Sequence, residues 1–81
     1  MDRPEQTLSA VLDAGELLLT SGAEAARVED TMRRLARAYG FVRADVLTIT
    51  ASMAVTVRTA DDQVITQTRR IRAARNRYAL H

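Results

Sequence analysis

Within nine residues the chain places Ser21, Glu24, Arg27 and Glu29, four side chains of types that can do chemistry. A serine nucleophile needs a base to activate it, and the chain has no lysine, no cysteine and one histidine, His81, at its last position. Glu24 and Glu29 could supply a carboxylate pair, but five residues apart on a helix they diverge by more than a right angle. Catalysis is not expected from this set. Zinc sites built on thiolate or imidazole are excluded by the same composition, and no cofactor is expected.

Structural roles account for the same residues. Ser21 and Glu24 have the spacing of a capping box, in which each side chain satisfies the other residue's backbone N–H at the start of a helix. Arg27 can pair with Glu24 or Asp30, a solvated network worth little at a surface. Burial of Arg27 or Glu29 would favour a binding role, because an unpaired buried charge is costly. Thr48, Thr50 and Thr56 could line a polar sheet face that meets a partner, although threonine is also simply a good strand residue.

The elements that must position these residues follow from periodicity. Leu8, Val11, Leu12, Gly15, Leu18 and Leu19 form an amphipathic stripe, giving a first helix from near Pro4 to Thr20–Gly22, with Asp2 and Glu5 as a further capping pair. Gly15 lies inside the stripe at about 1 kcal/mol of helix propensity relative to alanine, a cost that a close helix crossing would offset. The second helix runs to Gly40, with Val28, Met32, Leu35 and Tyr39 on one face and Glu29–Arg33 and Asp30–Arg34 as i, i+4 pairs. So short a link makes a helical hairpin over residues 1–40.

From Asp45 to Ile71 the chain turns β-branched. Leu47, Ile49 and Ala51 alternate with Val46, Thr48 and Thr50, and Met53, Val55 and Val57 alternate with Ala54, Thr56 and Arg58. Each run reads as a strand with one greasier face. Ser52 alone separates them, so the join is a very tight turn or a bend, and a hairpin is expected. Asp61 and Asp62 turn the chain into a third strand, Gln63 to Arg70. The expected fold is α+β, order ααβββ: a helical hairpin packed on a three-stranded antiparallel meander over 45–71. The basic tail, 72–81, can add a short helix in which Ile71, Ala74 and Tyr78 share a side.

Eighty-one residues suit one domain with a modest core, much of it alanine, which points to a partner, a dimer or attachment to a larger remainder. All twelve basic residues are arginine. Residues 1–62 hold seven of them against ten acids, a net of −3, and residues 63–81 hold five against none, a net of +5. No signal peptide is visible, and the Leu17–Leu19 run is far short of the ~20 apolar residues a membrane span needs. The tail, with Arg69, Arg70, Arg72, Arg75 and Arg77, could touch anionic lipid. Nucleic-acid binding is less favoured, since Tyr78 is its only interleaved aromatic.

The string AGELLLTSGAEAARVEDTMRRLARAYG, followed by DVLTITASMAVTVRT and ITQTRRI, resembles the N-terminal soluble region of the threonine/serine exporter family over about residues 10–72. The motif positions are Ser21, Gly22, Ala23 and Glu24, then Arg27, Val28 and Glu29, then Gly40. The resemblance implies that Ser21, Gly22, Glu24, Arg27 and Glu29 serve an interface or binding role. It also implies a domain on the cytoplasmic face of the plasma membrane that assists assembly or gating of an exporter of small amino acids or carboxylates, with no transport by itself. Its partners would be the transmembrane helices of the same or a companion protein, with homo-oligomers expected. Basic residues between the domain and the membrane would agree with the positive-inside tendency. The family often carries a proline where Ala51 stands. The alternative reading is a free-standing module that dimerises through a sheet edge or the helical hairpin.

Overall fold

A computed structural model describes residues 3–71. Helix α1 spans Pro4–Thr20 and α2 spans Ala25–Ala38. Three strands follow, β1 (Arg43–Ile49), β2 (Ser52–Arg58) and β3 (Val64–Arg70). They form an antiparallel sheet in the order β1-β2-β3. The fold is the expected ααβββ arrangement, with α2 along β1 and α1 reaching β2 and β3. The short helix expected over 71–80 lies outside the described residues, apart from Ile71, which is buried.

The core lies between the helix pair and one sheet face. Leu8, Val11 and Leu12 from α1, Val28, Met32 and Ala36 from α2, and Met53, Val55 and Val57 from β2 are all buried. Burying a side chain of the Val, Leu or Met class contributes about 1.5–3 kcal/mol, so this set is the main source of stability. The expected α2 stripe shifts at its end. Ala36 completes it, and Tyr39, one residue past the helix, is 55 % exposed. Gly15 sits where the helices cross: an added Cβ would lie 2.3 Å from the Met32 sulfur. The space it leaves is filled by a side chain rather than by backbone.

Both helices end in the same way. Gly22 (φ +103°) follows α1 and Gly40 (φ +108°) follows α2, in the left-handed conformation that glycine adopts without steric cost. Ala23 N–H donates to Leu18 O at 3.1 Å and Gly22 N–H to Leu19 O at 3.1 Å. Phe41 N–H donates to Ala36 O at 3.1 Å and Gly40 N–H to Arg37 O at 3.0 Å. Each pair of bonds is a Schellman closure, and the positions that such a motif brings together are apolar in both: Leu18 and Ala23, packed against the core, and Ala36 and Phe41, part of it.

The join of β1 and β2 is a two-residue hairpin, with Ile49 opposite Ser52. The turn residues are therefore Thr50 and Ala51, and Ser52 opens β2 rather than separating the strands. The first strand also begins earlier than expected, at Arg43 instead of Asp45. Thr50 has φ +51°, an unfavourable conformation for a β-branched residue. The second turn uses Asp62 at φ +71°, with Asp62 N–H donating to Thr59 O at 3.0 Å and Gln63 N–H to Thr59 Oγ1 at 3.0 Å.

Register decides which side of each strand meets the helices. Val46 opposes Val55 and Ala44 opposes Val57, so the even-numbered residues of β1 share the core face with the buried residues of β2. Leu47 and Ile49, the larger apolar set of β1, point the other way and are 56 % and 59 % exposed.

Candidate functional site

Ser21 and Glu24 do not form the expected capping box. Ser21 ends α1: its N–H donates to Leu17 O and Leu18 O, and its Oγ donates to Leu17 O at 2.7 Å. Glu24, with extended backbone (ψ 148°), is the residue that opens α2, and its side chain caps nothing. Once Gly22 has closed the first helix, the second can begin only at Ala25, so the box spacing is present without a box. Ser21, Gly22, Glu24 and Arg27 are all exposed, and they lie along the elbow between the helices and the first turn of α2.

Glu29 is half-buried, and α2 turns it towards the sheet. Its Oε2 accepts the Thr48 N–H at 3.0 Å and the Thr48 Oγ1 hydroxyl at 2.7 Å. β1 is an edge strand, with β2 as its only neighbour in the sheet among the described residues. A carboxylate from α2 therefore occupies a backbone donor that the ladder leaves open, and it blunts that edge against pairing with another chain. The expected Glu29–Arg33 pair does not form, because the carboxylate is committed to Thr48. The Asp30–Arg34 pair does form, at 3.1 Å.

The three threonines do not share a face. Thr48 faces α2, Thr50 lies in the turn, and Thr56 is on the outer face, where its hydroxyl meets that of Thr66 at 2.9 Å. A second clasp joins β3 to α1. Arg69 Nη1 donates to Asp13 Oδ1 at 2.5 Å and Glu16 Oε1 at 3.2 Å, and Nη2 donates to Ser9 Oγ at 3.2 Å. Gln67 Nε2 adds a bond to the Glu5 carbonyl at 2.8 Å. The hydrogen bond to Asp13 raises the Arg69 pKa from its usual value; burial works against that, and Glu16 adds to it. The guanidinium is thus held in its charged form. Arg69 and Arg70, adjacent in the basic run, separate: Arg69 reaches α1, and Arg70 is exposed on the opposite sheet face. Arg72, Arg75 and Arg77 lie outside the described residues.

Sequence reasoning missed Thr48 as the partner of Glu29, and Ser9, Asp13 and Glu16 as partners of Arg69. The second set had a signal, since spacings of four and three make one polar stripe on α1 beside the apolar one. The first had none, because it depends on which edge α2 covers.

No helix among the described residues is long and apolar enough to cross a membrane. The family model described as "Putative threonine/serine exporter" matches residues 9–79. No curated protein and no solved structure matches the chain.

Proposed function

The chain belongs to the threonine/serine exporter family, and from that premise we propose that it is a cytoplasmic, non-spanning domain that docks against the transmembrane part of an exporter and acts in its assembly or gating. Solute is moved by the membrane helices, and this domain carries no transport of its own. One observation carries the docking role. Register turns the greasier set of β1 outward, so that Leu47 and Ile49, two residues apart, stand in water beside Ala54 on the sheet face away from the helices. A strand whose only task was to seal its own core would place its larger apolar residues inward. A covered face is also what so small a core needs.

The coding DNA after His81 should contain, in frame or in the adjoining gene, several apolar segments of about 20 residues. In cells carrying the complete exporter, Leu47→Ser with Ile49→Ser should leave its abundance in the membrane unchanged while lowering threonine efflux. Unaltered efflux, or the absence of any such apolar segments, would overturn the reading.

A free-standing dimer finds support in a different feature. The β1 edge is occupied by Glu29, whereas the backbone of β3 bonds only to β2 among the described residues. Light scattering on the purified chain tests it, and a strict monomer across micromolar concentrations would dispose of it.

A further inference from the structure

An open groove of about 490 Å³ runs between the C-terminal half of α2 and the start of β1. Arg33, Arg34, Arg37 and Arg43 line it, and Asp30 and Asp45 are the carboxylates beside them. Each acid is already taken: Asp30 holds Arg34 at 3.1 Å and Asp45 holds Arg43 at 3.6 Å. Arg33 and Arg37 make no ion pair or hydrogen bond with any described residue.

These two guanidinium groups lie one turn apart on α2. Like charges at that spacing destabilise an isolated helix, so the pair works against the fold it belongs to. The partial negative charge at a helix C-terminus accounts for Arg37, which lies in the last turn of α2. It does not account for Arg33, which stands further back in the helix and is half-buried. With Arg34 paired to Asp30 and Arg43 to Asp45, the lining of the groove carries a surplus of two positive charges, which falls on Arg33 and Arg37.

We propose that this groove binds a phosphate group. Charge and geometry favour phosphate over a single carboxylate. A phosphomonoester carries about −1.5 to −2 at neutral pH, which matches the surplus. Its oxygens can also accept from two guanidinium forks at once. A groove of this volume has room for a headgroup or a small phosphorylated solute. The same chemistry is offered by a soluble phosphate and by an anionic lipid headgroup, and the two sources separate by experiment. The proposal does not depend on the exporter reading, since it rests on the side chains of α2 and β1 alone.

The test uses the full chain at low salt, with pyrophosphate as the soluble probe and vesicles containing phosphatidic acid, whose headgroup is a phosphomonoester, as the lipid probe. Phosphatidylcholine vesicles are the uncharged control. Binding is read by titration calorimetry and by vesicle sedimentation. At least one anionic probe should bind, with Kd of about 1 mM or tighter for pyrophosphate if the source is soluble. Arg33→Gln with Arg37→Gln should weaken that binding about tenfold or more. Arg70→Gln, which removes an exposed cation from the far side of the sheet, should leave it unchanged. Asp30→Asn, which removes the carboxylate that α2 places beside these arginines, should strengthen it, a gain that misfolding cannot imitate. Binding by neither probe, or an equal loss in Arg70→Gln and in the double variant, would overturn the assignment.

Discussion

Replacing Gly15 by alanine should destabilise this domain, although alanine is the better helix former. The gain is about 1 kcal/mol of helix propensity at an interior position. Against it stands Met32: the new Cβ would lie 2.3 Å from its sulfur, 2.9 Å from its terminal methyl and 3.0 Å from its Cγ. Comfortable carbon contacts begin near 3.5 Å, so the thioether must move by about an ångström. Met32 is fully buried and has no solvent to move into. Overpacking of this kind costs about 1–3 kcal/mol. The net expectation is a loss of about 1 kcal/mol, read as a Tm lower by roughly 4–8 °C in a domain of this size. The contact itself is tested by reversing the sign. Met32→Ala removes the obstructing atoms at its own cost of about 2–5 kcal/mol. In that background, held folded by an osmolyte, Gly15→Ala should stabilise by about 1 kcal/mol. The coupling between the sites is then about 2 kcal/mol, within the range for residues in direct contact. Urea melts of the four proteins complete the cycle. If Gly15→Ala is more stable than the parent, or acts equally in both backgrounds, the Met32 side chain is not what requires glycine at position 15.

Four further outcomes follow from the geometry. Glu29→Ala strands the half-buried Thr48 N–H and should cost about 1.5–3 kcal/mol in urea melts, while Thr48→Val, which keeps the N–H bond, should cost less. Glu24→Ser supplies the side-chain acceptor that α2 lacks and should add roughly 0.5–1 kcal/mol to thermal stability. Thr50→Gly relieves a β-branched residue at φ +51° and should stabilise by about 0.5–1 kcal/mol, read by urea unfolding. Arg69 has its pKa raised, so its contribution is complete throughout the neutral range and is lost only as pH climbs through strongly alkaline values. Between pH 6 and 9 the difference in melting temperature between the parent and Arg69→Met should therefore not arise from titration of the guanidinium.

The residues that made the fold legible were those with strong periods or strong backbone demands. The Leu8-to-Leu19 stripe, the two glycines that end the helices and the alternation of Met53, Val55 and Val57 each allow one solution. The misreadings share a cause, which is that local pattern cannot choose between two partners. Ser21 and Glu24 have the spacing of a helix start, yet Ser21 belongs to the helix before it, because Gly22 dictates where α1 stops. Leu47 and Ile49 look like core residues until register with β2 assigns Val46 and Ala44 inward. Glu29 looks like the partner of Arg33 until α2 lies against β1 and offers it a backbone N–H instead. None of the motif residues came together in a pocket. What they build is an elbow and a clasp, and the groove of arginines beside them falls on residues whose periodicity marks only an exposed helix flank.

The unequal flanks of the sheet set a limit on growth. A strand array with two bare margins can add neighbours at both and lengthen without end. Here Glu29 occupies a backbone donor of the β1 margin, while among the described residues the β3 margin has no backbone partner beyond β2. Two such units can meet bare margin to bare margin about a twofold axis, which leaves the β1 margins outermost. If this domain self-associates through its strands, the β3 margin is the favoured seam and a closed pair the expected product, because Glu29 already holds the Thr48 N–H on the β1 margin.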